Sequence, residues 1–255
     1  MLIILSPAKI LNLKPQDIVS DYTLPDMLNL SQQVVEQARQ LDVEELMELS
    51  KVNRSIAQTN HDRFYNWHLP FTPDNAKQAV LMFNGEVFNG LQAKTLSNDD
   101  FAYLQNHLRI LSGVYGVLRP LDLMQPYRLE IGSRFAVGKA ANLYKFWGDR
   151  ITDKLNEALA VSGEPKVLVN LASGEYFKSV NVKKLKARVI DVEFYETKSE
   201  TLKTIVVYTK KARGMMARYI VQHQIEDPEL LKGFDAEGYW FSPQLSTEDK
   251  FVFTR

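Results

Sequence analysis

The 255-residue chain contains no cysteine. Disulfides, thiolate catalysis, iron–sulfur ligation and cysteine-type zinc sites are therefore excluded. Histidine is scarce as well. His61, His68, His107 and His223 share no metal-ligand spacing, so neither a metal nor a cofactor is expected. No run approaches the roughly 20 apolar residues of a membrane span. The opening MLIILSPAKIL lacks a basic n-region and is too short for a signal h-region, which predicts a soluble cytoplasmic protein with no membrane partner. Charge of one sign is lacking too: 31 basic residues balance 31 acidic ones, which argues against a generally sticky polycation. No P-loop and no G-x-G-x-x-G occurs.

What is present is an ordinary globular composition, 45% hydrophobic and 24% charged. A chain of this length can bury a core without staples. No linker or low-complexity stretch interrupts it, so one compact domain over 1–255 is predicted. The balanced charge is unevenly placed. Residues 17–50 carry eight acids against Arg39 alone, whereas residues 176–218 carry eleven bases against four acids. These are either two differing solvated surfaces or one basic face for an anion.

The first half reads as helical. Asp42-x-x-Glu45 is a capping-box pattern before Val43, Leu46 and Met47. Helices are also predicted from Ser31 to Leu41, from Ile56 to Trp67 ahead of Pro70, from Ser97 to Leu111, and as one long element from Leu143 to Leu159 capped by Asn142. The second half reads as strands: 167–172, the alternating RVIDVEFYE at 188–196, the β-branched KTIVVYT at 203–209, and short strands at 239–241 and 251–253. The fold class expected is mixed α/β, a central mixed sheet flanked by helices.

Five apolar runs end alike, at Ser6-Pro7, Asn84-Gly85, Ser112-Gly113, Ser173-Gly174 and Thr209-Lys210. Each can be read as strand, cap and helix, and such turns gather helix N-termini at the carboxyl ends of strands, where open sheets bind ligands and anions are favoured. Taken singly, each is also an ordinary turn. After the fifth junction, Lys210, Lys211 and Arg213 fall in a helix's first turn, where the dipole disfavours cations unless an anion, phosphate above all, or a nearby carboxylate joins them. Ser6-x-x-Lys9 matches a serine-nucleophile pattern without its companion motifs, so Lys9 is read as anion-facing. Arg119, Arg128 and Arg134 lie on a segment stiffened by Pro120 and Pro126. They either line the same cleft or pair with Asp122 and Glu130 in their own loop. Glu130 and Glu175 are candidate general bases.

The segments LIILSPAK, FNGEVFNGLQA, LRILSGVYGVLRPLDLMQPYRLEIG, LYKFWGD, VNLASGEYFKSV, KKARGMMARYIV and GFDAEGYWF run in order from residue 2 to residue 241 and resemble the motifs of the YaaA family of peroxide stress proteins. The resemblance implies a cytoplasmic protein that protects against hydrogen peroxide, limits free iron and binds DNA, distorted duplexes included. It implies a single α/β-type domain with a positively charged cleft and a helix-hairpin-helix element, and no catalytic mechanism. With no cysteine and no histidine cluster, an effect on iron is expected to be indirect. The stretch ILSGVYG, 110–116, is where the hairpin would be sought. Two residues, not one, separate Gly113 from Gly116, so a strand entering a helix is preferred there. In both readings the glycines expose backbone to a phosphate.

The expectation is a peroxide-stress protein that holds DNA by backbone phosphates, without base specificity, through Ser6, Lys9, Gly113, Gly116, Arg119, Arg128, Ser173, Lys178, Lys210, Lys211 and Arg213. The alternative is an enzyme acting on a nucleotide or another phosphorylated small molecule in the same cleft.

Overall fold

The computed structural model describes residues 1–198 and 201–255. The strands are β1 (Leu2–Leu5), β2 (Lys77–Gln78), β3 (Leu108–Ser112), β4 (Gly116–Leu118), β5 (Leu123–Met124), β6 (Val167–Leu171), β7 (Arg188–Lys198), β8 (Thr201–Lys203), β9 (Trp240–Phe241) and β10 (Lys250–Thr254). The helices are α1 (Leu28–Ala38), α2 (Val43–Ser50), α3 (Arg54–Asn66), α4 (Ala79–Met82), α5 (Glu86–Leu91), α6 (Asn98–His107), α7 (Leu143–Trp147), α8 (Arg150–Val161), α9 (Gly174–Phe177) and α10 (Val206–Gln222).

A mixed sheet in the order β4-β3-β1-β6-β7-β10-β9 forms the centre, with β8 paired to β7 and a separate β2–β5 pair. Neighbours from β3 through β10 run parallel, and the flanking β4 and β9 run antiparallel. Helices cover both faces of such a sheet, so its inner strands need no polar side. Accordingly β1 and β6 are buried along their whole length. In β7, Ile190, Val192 and Phe194 are buried, while Val189, Asp191, Glu193 and Tyr195 on the other face are half-buried.

Local signals set several helix starts. Asp42 and Glu45 complete the capping box of α2, and Ser97 with Asp100 forms another ahead of α6. Asn53 caps α3 and Asn142 caps α7. The single long helix expected from residue 143 is two, broken at Gly148, whose φ of +51° a glycine adopts without a Cβ penalty.

The strand expected at 203–209 is not formed. β8 ends at Lys203 and α10 begins at Val206. The β-branched run favours a strand locally, but α10 buries Ala212, Met216, Ala217, Ile220 and Val221 along its length, and that packing outweighs propensity. Lys210, Lys211 and Arg213 thus sit beyond the helix's first turn, where the dipole no longer opposes their charge appreciably. Of the other junctions, Ser6-Pro7 starts no helix, and the run before Asn84-Gly85 is the one-turn helix α4. Only Gly85 and Ser173 lead into helices, α5 and α9.

ILSGVYG is neither a strand entering a helix nor a helix-hairpin-helix turn. It is a β-hairpin, with Ser112 paired to Gly116 across the turn. Ser112 Oγ accepts from the Tyr115 amide at 2.9 Å and closes the loop. Gly116 has φ +69°, and a Cβ there would strike the Met27 and Trp147 side chains.

Candidate functional site

The connection leaving β1 reaches its next parallel partner, β3, on one side of the sheet, whereas that leaving β6 reaches β7 on the other. Adjacent parallel strands whose connections diverge leave a crevice at their carboxyl ends. A cavity of about 350 Å³ occupies this crevice. Ser6 follows β1 and Ser173 follows β6. The Ser173 amide donates to Ser6 Oγ at 2.8 Å, and the two hydroxyls lie 3.2 Å apart, which ties the two loops together.

Four cations from three segments line the cavity: Lys9, Arg128, Lys210 and Arg213. Arg128 is set by its backbone. Asn60, buried on α3, donates to the Arg128 carbonyl at 2.7 Å and accepts from its amide at 2.8 Å. The Arg128 side chain is only 17% exposed, and its Nε has no hydrogen-bond partner. Glu130 Oε1 lies 3.0 Å from Lys9 Nζ and 3.6 Å from Arg128 Nη2, one carboxylate shared between two cations.

Arg213 and Lys210 come from α10, which crosses α5 at close range. Gly90 and Gly214 make this approach feasible: a Cβ at Gly214 would lie 1.7 Å from the Val87 carbonyl oxygen, and one at Gly90 would lie 2.1 Å from that of Lys211. Burial pulls the Arg213 guanidinium below its ordinary pKa, while Glu193 and Asp191 of β7 pull it back up. Its Nε is also buried without a partner. Asp191 is itself held by Asn170 Nδ2 at 2.7 Å. An N–H with no acceptor in a buried setting carries a desolvation cost.

Val87, Leu129, Leu171, Tyr127 and Tyr176 also line the cavity, beside the acidic Glu86 and Glu175. Burial raises the pKa of both phenols, so they stay protonated near neutrality. Glu175 Oε1 accepts from the Gly132 amide at 3.2 Å and so fastens the 130–133 loop to α9.

The fold therefore brings Ser6, Lys9, Arg128, Ser173, Lys210 and Arg213 together. Five other expected residues lie elsewhere. Gly113 is buried, so closely packed that a Cβ would come within 2.3 Å of the Leu129 carbonyl oxygen, and its own carbonyl accepts from Trp147 Nε1 at 2.9 Å. Gly116 serves the hairpin. Arg119 pairs with Asp122 and Asp26 beside a second cavity of about 180 Å³ that it shares with Arg109 and Lys154. Lys211 pairs with Glu237 at 2.5 Å. Lys178 is exposed and outside the cavity. Among the bases of 176–218, Lys184 pairs with Asp149 and Arg188 with Asp249.

A model of the family described as peroxide stress protein YaaA matches residues 1–245. The chain belongs to that family. A relative named UPF0246 protein, from Neisseria gonorrhoeae (strain NCCP11945), is 53% identical over 255 residues, covering all of this chain and 98% of the relative. All the cavity residues of this family member fall inside the matched span.

Among the described residues, no group of three or more histidine, aspartate or glutamate side chains could hold a metal ion. None of their helices is long and apolar enough to cross a membrane. Sequence reasoning missed the positioning role of Asn60, read only as part of a helix, and the Gly90–Gly214 crossing. A polar residue on the apolar face of α3 was the available signal for Asn60; nothing local marked the crossing, because it joins residues more than a hundred positions apart.

Proposed function

We propose that this peroxide-stress protein binds duplex or distorted DNA through backbone phosphates at the β1–β6 crevice and thereby limits oxidative, iron-dependent damage. The observation that carries the reading is the convergence of Lys9, Arg128, Lys210 and Arg213 on one cavity. Arginine chelates phosphate oxygens and lysine supplies a point charge, while no array of side chains suited to reading base edges accompanies them. Each phosphate neutralised adds about −0.9 to the slope of log affinity against log salt, so affinity should fall as salt rises. Fluorescence anisotropy with a labelled duplex at several salt concentrations tests this. Lys210→Glu combined with Arg213→Gln should weaken every duplex sequence alike and flatten the slope; unchanged affinity would overturn the assignment.

A second reading is an enzyme acting on a nucleotide or another phosphorylated small molecule. It is favoured by one feature, the presence of Glu130, Ser6 and Ser173 in a cavity of small-molecule size. Strong thermal stabilisation by one mononucleotide, without comparable duplex affinity, would select it.

A further inference from the structure

We infer that the β1–β6 cavity takes a single nucleotide turned out of its strand, with the phosphate on the cations and the base against the apolar wall. The inference rests on the DNA-binding reading and deepens it. A volume of about 350 Å³ is at the lower end for small-molecule sites and admits no double helix. A purely phosphate-tracking surface needs no depth and no apolar lining. This cavity has an apolar lining, to which Val87, Leu129, Leu171, Tyr127 and Tyr176 contribute. An apolar surface accepts any base without reading its edges.

The rim offers a second, independent feature. Ile10 lines the cavity yet is 64% exposed. Val206, 61% exposed, does not line the cavity but lies about one helical turn before Lys210 on the same side of α10. Neither side chain contributes to the core. Apolar side chains beside a nucleotide pocket are suited to fill the gap that an extruded base leaves in the stack. Extrusion costs least where pairing is already lost, so the same geometry gives a preference for bulged or damaged duplexes without any sequence readout.

The test uses the full chain and a duplex carrying 2-aminopurine in a one-nucleotide bulge, with a terminal fluorescein reporting binding by anisotropy. At saturation, 2-aminopurine emission should rise several-fold as the base unstacks, and acrylamide should quench it poorly because the cavity shields it. Ile10→Ala, a change at an exposed position that leaves folding intact, should lose most of the rise. Binding without a rise, or a rise fully open to acrylamide, overturns the inference and leaves the DNA reading standing. No anisotropy change with any duplex overturns both.

Discussion

Gly214→Ala places a methyl group where α10 crosses α5. The new Cβ would lie 1.7 Å from the Val87 carbonyl oxygen, 2.7 Å from its carbonyl carbon and 2.8 Å from the Leu91 amide nitrogen. Close C···O contacts settle at roughly 3.3–3.6 Å, so the helices must separate by about 1.6 Å or more. All three atoms are helical backbone and cannot swing aside as a side-chain tip would. Overpacking of a core costs about 1–3 kcal/mol and occasionally more, and rigid backbone on both sides puts this case at about 3 kcal/mol or above. For a chain of this size that lowers Tm by about 6–12 °C. Differential scanning calorimetry measures it, with Gly174→Ala as the control because a Cβ there meets nothing within 4 Å. Nucleic-acid affinity, measured well below the transition, should fall too, since Val87 lines the cavity from α5 and Lys210 and Arg213 line it from α10. A Gly214→Ala protein melting within about 2 °C of wild type would refute the close-crossing argument.

Asn60→Ala should cost about 1–3 kcal/mol in urea unfolding, because it strips partners from the Arg128 amide and carbonyl, and should weaken duplex binding through Arg128. Arg119→Gln should lower stability, since the buried Asp122 loses its cation, yet leave the salt slope of binding unchanged; a flattened slope would place Arg119 in the site after all. The Lys211 hydrogen bond and charge, with Arg255, hold the Glu237 carboxyl below its ordinary value of 4.5. A depressed acid contributes stability above its unfolded pKa and loses that contribution as pH falls through the folded one. Glu237→Gln should therefore be slightly less stable than wild type at pH 7, by under about 1 kcal/mol for so exposed a pair. The gap should close below pH 4.5 in a pH series of Tm values.

Much of the fold is legible locally. The capping boxes at Asp42 and Ser97 mark α2 and α6, the alternation of 188–196 marks β7, and the unbroken apolar runs mark the buried strands β1 and β6. Errors cluster where short-range patterns are degenerate. A β-branched run before a basic amphipathic stretch reads as a strand, but Ile205–Val207 instead lead into a 17-residue helix whose burial outweighs them. Ser-Gly-Val-Tyr-Gly suits a helix cap as well as a hairpin, and pairing with Gly116–Leu118 decides it.

The sequence by itself determined which segments could be helix or strand, which side chains had to be inside, and to which family the chain is similar, because these follow from periodicity, capping and ordered motifs along the backbone. Only the tertiary structure decided which cations line one cavity. Lys9, Arg128, Lys210 and Arg213 meet because β1 and β6 lie side by side and two glycines let α10 settle onto α5. Lys211 and Arg119, equally basic on paper, lie outside that cavity beside Glu237 and Asp122, whereas Lys9 and Arg128 line it and share Glu130. Charge is a property of a residue, but whether it is free for a ligand depends on which carboxylates the fold puts within reach.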